Sequence, residues 1–242
     1  MGPGAATPFA RHTASLGSAV LDELGKLRFA RFRFRLRAQT ALYLPPYKGS
    51  TLRGGFGLAF KDAVCVVSHR DCDRCLLRSK CAYPYIFETP VPEDSRRMAS
   101  VEHAPHPFVI QPPLDDHTQY AIGDQLEFGL VLIGRAIDYL PYFIFAFEHL
   151  GSGRGIGRAI EPHAEGGKLR ARSERGKFAV EGVFALNGQG EGTPVYDGRA
   201  RALSGTIHAE TIVSRFPRPL GEGQGEGTPR LSLHFLTPTR LI

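Results

Sequence analysis

From residue 28 the chain alternates apolar and basic positions: Arg28, Phe29, Ala30, Arg31, Phe32, Arg33, Phe34, Arg35, Leu36 and Arg37. A two-residue period puts Phe32, Phe34 and Leu36 on one face of a strand and the arginines on the other, so this segment reads as a half-buried antiparallel strand. The Leu44-Pro45-Pro46-Tyr47-Lys48-Gly49 run breaks that strand. Ser50 then stands where a helix cap is expected, ahead of apolar positions at Leu52, Phe56, Ala59, Phe60, Ala63, Val64 and Val67 with helical spacing. Extended pieces are expected at Pro107–Gln111 and Gln125–Ile133. A second helix is expected from Asp138, with Pro141 in its first turn, Phe143, Phe147 and Leu150 on one face, and Gly151 at its stop. Further strands are expected at Lys168–Arg172, Phe178–Ala185, Gly205–Val213 and Leu231–Leu236.

The order strand, helix, strands, helix, strand predicts an α+β domain with an antiparallel sheet, best matched by a ferredoxin-like (RRM-like) βαββαβ unit. Residues 1–26 read as a mobile arm with one short helical stretch, Ser15–Leu24. Residues 27–220 read as the ferredoxin-like domain, with an insertion at 65–81. Residues 221–242 read as a glycine-rich linker and the first strand of a truncated second domain. The heptapeptide Gly-Gln-Gly-Glu-Gly-Thr-Pro occurs at 188–194 and again at 223–229. Both copies are expected to be flexible loops, because glycine-rich polar sequence buries too little surface to offset its ordering entropy.

Composition narrows the class. With 42% hydrophobic residues, 22% charged residues and a mean hydropathy of −0.17, the chain belongs with soluble globular proteins. The longest nearly apolar run, Ile137–Leu150, contains Asp138, Pro141, Glu148 and His149 and is too polar to span a bilayer. No secretion signal is visible near the N-terminus, so a cytoplasmic address is expected. The net charge is +6, and 24 of the 30 cationic residues are Arg, whose planar fork suits phosphate.

All four cysteines, Cys65, Cys72, Cys75 and Cys81, fall in one C-x6-C-x2-C-x5-C cluster. In a reducing cytoplasm that spacing predicts a structural metal site with four thiolate ligands. Zinc is the first choice, since four thiolates leave no open position for catalysis; an iron–sulfur cluster needs the same ligand number.

Arg31, Arg33, Arg35 and Arg37 recur about every 6.7 Å, close to the spacing of successive phosphates on a single strand. The row contains no acid, which favours a nucleic-acid contact over an ordinary solvated sheet face. The run Gly151-Ser152-Gly153-Arg154-Gly155-Ile156-Gly157-Arg158 has the glycine density of a dinucleotide fingerprint. It follows a helix instead of preceding one, which argues against a Rossmann or P-loop phosphate site. Arg154 and Arg158, with Arg53 from the first helix, are further candidate RNA contacts. Gly54, Gly55 and Gly57 inside that helix each cost about 1 kcal/mol relative to Ala, so something approaches them closely, the sheet or a ligand.

Two of these motifs, Leu44–Phe60 and Cys72–Glu88, together with Phe235-Leu236-Thr237-Pro238-Thr239-Arg240-Leu241, resemble the RAMP-superfamily endoribonuclease that processes CRISPR precursor RNA. They stand in the same order as in that family. The resemblance implies tandem ferredoxin-like domains, CRISPR repeat RNA as partner, and cleavage without a catalytic metal to a 2′,3′-cyclic phosphate and a 5′-hydroxyl. Such chemistry needs a base, an acid and a cation at the phosphate. Tyr47, Lys48 and His69, around the first helix, are the candidates for these roles. Two other readings stand beside it: a non-catalytic RNA-binding subunit that partners other CRISPR effector subunits, and a metal-stabilised adaptor for proteins.

Overall fold

The computed structural model describes residues 25–67, 71–89, 104–160, 174–205, 207 and 209–211. The expected N-terminal arm, the strands at Lys168–Arg172 and Leu231–Leu236, the second heptapeptide copy and the 221–242 linker lie outside them. By internal contacts, Ala30–His208 form one unit, while the segments Met1–Phe29 and Ala209–Ile242 form another. In that second unit Arg28 and Phe29 pair antiparallel with Thr211 and Glu210, the part of the strand expected at 205–213 that is extended and paired among the described residues.

The alternating segment forms β1, Arg28–Ala38, with Phe32, Phe34 and Leu36 fully buried and the intervening arginines half-buried on the opposite face. A short strand β2, Leu42–Tyr43, leads to helix α1, Gly49–Val64. There follow β3 (Phe108–Gln111), β4 (Gln119–Tyr120), β5 (Gln125–Ile133), a 3-10 turn at Gly134–Tyr139, helix α2 (Leu140–His149), β6 (Ile156–Ile160), β7 (Glu174–Gly176), β8 (Phe178–Leu186), β9 (Gly192–Asp197) and β10 (Ala202–Leu203). The main sheet runs β10-β9-β8-β1-β5-β3. β3 is antiparallel to β5 and β8 to β1. Ala38 meets Asp124, Arg35 meets Glu127 and Phe34 meets Phe128, so β5 runs opposite to β1 as well. The α+β class and the antiparallel sheet are therefore as expected. The path β1-α1-β3-β5-α2-β8, with β8-β1-β5-β3 side by side, has the βαββαβ connectivity.

Both helices lie against the apolar face of the sheet, and phenylalanine fills the space between them. Phe56 of α1 lies 4.9 Å from Phe143 and 4.8 Å from Phe147 of α2, both stacked, and 5.7 Å from Phe108 of β3. Phe147 in turn contacts Phe34 of β1 and Phe128 of β5. Offset and edge contacts of this kind add to the burial of each ring.

Two helix starts differ from expectation. Lys48, not Ser50, occupies the cap of α1, and Tyr139, not Asp138, that of α2; neither makes a side-chain cap bond. In α1 the reason is Lys48 itself. Its side chain is fully buried, and Nζ donates to the Pro46 carbonyl at 3.2 Å, the Asp115 carbonyl at 2.9 Å and Asp115 Oδ1 at 3.0 Å. The ammonium thus ties the turn before α1 to the loop after β3.

The first heptapeptide copy is also different from expectation. Residues 188–191 form the β8–β9 turn, with Asn187 Oδ1 accepting from the backbone N–H of Gln189 and Glu191, and Gly192–Pro194 continue into β9. Hydrogen bonding in the hairpin and in the Asx-type turn orders a sequence whose composition alone suggests flexibility.

Burying an ammonium requires its partner to stay ionised. The Lys48 hydrogen bond, with the backbone N–H of His117, holds the Asp115 carboxyl below the ordinary carboxylate range. Its contribution is therefore complete above the unfolded value near ~3.9 and is lost as pH falls through the lower folded value. Asp115→Ala is expected to cost about 2 kcal/mol in urea unfolding at neutral pH, less than the ~3–5 of a fully enclosed pair because Asp115 is half-exposed. The deficit relative to wild type should vanish in strong acid.

Candidate nucleic-acid interface

The arginine face of β1 is basic in sequence and largely paired in space. Arg35 Nε donates to Glu127 of β5 at 2.6 Å, and its guanidinium sits 4.9 Å over the Phe184 ring. Arg37 donates to Glu181 of β8 and, at 2.8 Å, to the Gly123 carbonyl. Glu181 is the extra residue of a bulge opposite Arg35 and Leu36; its Arg37 hydrogen bond holds its carboxyl below the usual range. Arg31 and Arg33 reach backbone carbonyls of the β8–β9 turn, at Asn187 and Gly190. The acids missing from the β1 row are supplied by its two neighbouring strands.

A larger recess lies on the helix side. The first turns of α1 and the glycine-rich run after α2 border one cleft of about 1090 Å³. Gly54 and Gly153 open onto it with nothing within 4 Å of where a Cβ would stand. Other glycines of the same motifs are there for close packing. A Cβ on Gly55 would meet Leu150 at 3.1 Å, and one on Gly157, at φ +81°, would lie 2.3 Å from the Tyr43 carbonyl oxygen. The close approach expected at 54–57 is thus protein at Gly55 and open space at Gly54. Arg154, Arg175, Lys177 and His149 line the cleft with Asp62 and Glu174. Arg154 is held by Asp62 at 3.0 Å, and Lys177 Nζ donates to the Gly153 carbonyl.

Of the remaining candidates, Arg158 is exposed on β6, and Arg53 is exposed with its guanidinium 5.7 Å from the Phe108 ring. Tyr47 is exposed beside Gly49, whereas Lys48 has its donors committed inside the fold. His69 lies outside the described residues. Sequence reasoning missed His149, exposed at the last turn of α2 and facing the cleft. Its spacing to any partner carries no signal, because the cleft joins elements about 100 residues apart.

All four cysteines, half-buried and unbridged, line one small pocket of about 20 Å³ together with Lys61 and Arg78. Among the described residues no three His, Cys, Asp or Glu side chains stand in a metal-holding arrangement. Burial, reinforced by a hydrogen bond with Glu88, pushes the Cys72 thiol up to about 11.

A further node ties this region to the sheet. Glu148 of α2 accepts from the Tyr196 hydroxyl of β9 and pairs with Arg201 at 3.2 Å, while its carbonyl accepts from Ser152 Oγ at 2.8 Å. Burial and the Glu148 hydrogen bond push Tyr196 up to about 12.

The chain belongs to the AF_1859_N family, an N-terminal domain, whose model matches residues 27–210. An uncharacterised protein of Archaeoglobus fulgidus is 28% identical over 109 residues, 45% of this chain and 36% of that protein, so the match spans about a third of the relative's length. A chain from the crystal structure of the Csm3-Csm4 subcomplex of the type III-A CRISPR-Cas interference complex is similar with a TM-score of 0.35 and 14% identity, covering 69% of this chain and 80% of that one.

Gly54 is the position where packing and ligand access separate. Gly54→Ala should raise thermal stability, by up to about 1 kcal/mol from helix propensity, since the added methyl meets nothing. Gly157→Ala should lower it sharply, and differential scanning fluorimetry distinguishes the two.

Proposed function

We propose that this domain binds single-stranded RNA, with CRISPR repeat RNA as the partner implied by the motif resemblance at 44–60, 72–88 and 235–241. The observation that carries the reading is the meeting of the two glycine-rich motifs at one cleft. A backbone without side chains at Gly54 and Gly153 leaves room for a phosphodiester chain, and Arg154, Arg175 and Lys177 supply its counter-charge. The arginine face of β1, Arg31, Arg33, Arg35 and Arg37, is the second contact. Other CRISPR effector subunits are the protein partners that fit this reading.

Cleavage is the second reading, favoured by His149 in the same cleft. An imidazole there has the chemistry to take the proton from a ribose 2′-hydroxyl as that oxygen attacks the adjacent phosphorus. The P–O5′ bond then breaks, leaving a 2′,3′-cyclic phosphate and a 5′-hydroxyl on the departing strand once that oxygen takes up a proton. Arg154 and Lys177 would stabilise the phosphorane charge, and Tyr47 is the candidate acid. Lys48 contributes by holding the turn that carries Tyr47.

RNA affinity tests the first reading. Arg154→Gln with Arg175→Gln should weaken binding of a labelled single-stranded repeat RNA regardless of its sequence. The double variant should flatten the salt dependence by about 1.4 in log–log slope, two single-strand phosphate contacts. An unchanged slope would sink the assignment. Formation of a cyclic-phosphate end in EDTA, lost in His149→Ala, would establish cleavage.

The cysteine pocket is proposed to hold a structural zinc ion, with an iron–sulfur cluster as the other occupant of the same four ligands. The convergence of Cys65, Cys72, Cys75 and Cys81 on one small space supports it, with Lys61 on the same lining to offset part of the thiolate charge. Elemental analysis should find one zinc per chain, or iron with visible absorbance, and Cys72→Ser should lower the melting temperature. Metal-free protein with an unchanged melting curve rejects the site.

A further inference from the structure

Helix α2 is aromatic on both faces, and only one face is used by the core. Leu140, Phe143, Ile144 and Phe147 are buried. On the other face Tyr142 is 46% and Phe145 52% exposed, flanked by half-buried Tyr139 and exposed His149. These side chains form a track. The Tyr85 and Tyr139 rings lie 5.5 Å apart, and those of Tyr139 and Tyr142 5.8 Å apart. One turn further on, Phe145 and His149 are stacked at 6.4 Å with an interplanar angle of 19°. His149 in turn borders the glycine-lined cleft, so the track, about 15 Å of helix, ends at the proposed RNA site.

Cations mark its other end. The Arg135 guanidinium sits 5.1 Å over the Tyr85 ring and donates to the Tyr139 hydroxyl at 3.4 Å. Lys80 lines a groove of about 240 Å³ with Val66, Leu77, Tyr139 and Tyr142, whose outer wall is the cysteine loop. Neither Arg135 nor Lys80 has a carboxylate partner among the described residues. Asp138 is exposed in the same segment, so these two cations, not a uniformly basic helix, provide the charge complementarity.

An exposed row of flat rings, with two cations that have no carboxylate partner among the described residues at one end and the glycine-lined cleft at the other, has the elements of a single-strand nucleic-acid platform. There bases stack without sequence preference and cations follow the backbone. We propose that the outer face of α2 is a base-stacking track for single-stranded RNA. Bases would lie on Tyr139, Tyr142 and Phe145, with phosphates held by Arg135 and Lys80, and the strand would lead into the cleft beside His149. The proposal rests on the RNA reading of that cleft. It also assigns the cysteine loop a task beyond stability, as the wall that holds Lys80 opposite the tyrosines.

Fluorescence anisotropy of the full chain with a labelled single-stranded oligouridine, and with a duplex RNA of equal length, tests it. Tyr139→Ala with Tyr142→Ala should weaken single-strand binding by ~10-fold or more, leave the salt slope unchanged, and leave duplex binding unaffected. Tyr139→Phe with Tyr142→Phe should retain wild-type affinity, which assigns the loss to the rings and not the hydroxyls, while unchanged duplex binding by the alanine pair separates lost stacking from lost folding. If wild type shows no salt-sensitive affinity for either RNA, the RNA reading itself fails. Wild-type binding that the alanine pair leaves intact, or reduces equally for single strand and duplex, overturns the track alone. So does a change confined to self-association in sedimentation, which would make this face a protein contact.

Discussion

The stacking of Phe56 against Phe143 and Phe147 is the contact on which the rest of the domain depends. It joins α1 to α2. Through Phe147 it reaches Phe34 and Phe128 on the two central strands, and through Phe108 and Phe87 it reaches the edge strand and the turn after the cysteine loop. A close-packed interior transmits displacement instead of absorbing it. The positions of Gly54 on α1 and His149 on α2, which both line the cleft, are therefore set by rings buried beneath them.

The cleft is kept open by polar and conformational devices at its margins. Lys48 spends one donor on the Pro46 carbonyl of the turn before α1 and two on Asp115 in the loop after β3, which fixes the start of the helix at Gly49 beside the recess. Gly155 and Gly157, both at positive φ, let the run after α2 press against β7 and β2. Glu148 anchors the last turn of α2 to the β9–β10 extension through Tyr196 and Arg201. Side chains that read individually as candidates for chemistry, Lys48 above all, turn out to hold the backbone that frames the site.

Charge is arranged differently on the two faces of the sheet. On the open face, Glu127 and Glu181 neutralise half of the arginine row and use it to lock β5, β1 and β8 together. On the helix face, Arg175 lines the cleft, and Arg135 and Lys80 stand beside the aromatic face of α2. Net charge counted along the chain says nothing of this distribution, which pairing in space decides. Among the described residues no helix is long and apolar enough to cross a membrane.

Much of this is written in local pattern. Period-two alternation determined β1 and which of its residues are core, helical spacing determined α1 and grouped Phe143, Phe147 and Leu150 on one side of α2, and element order implied the α+β class, because these depend only on neighbours along the chain. The clustering of four cysteines within one loop was legible for the same reason. What pairing across strands and helices decides was not. Arg35 meets Glu127 and Arg37 meets Glu181 from strands about 90 and 145 residues away, Lys48 finds Asp115, and the two glycine-rich motifs meet at one cleft. The first Gly-Gln-Gly-Glu-Gly-Thr-Pro copy is ordered by a hairpin its composition does not announce. Aromatic residues on both faces of α2 look alike in sequence. Only the packing of α2 on the sheet, which can bury one face of a helix and not the other, separates the rings of the core from those left facing solvent.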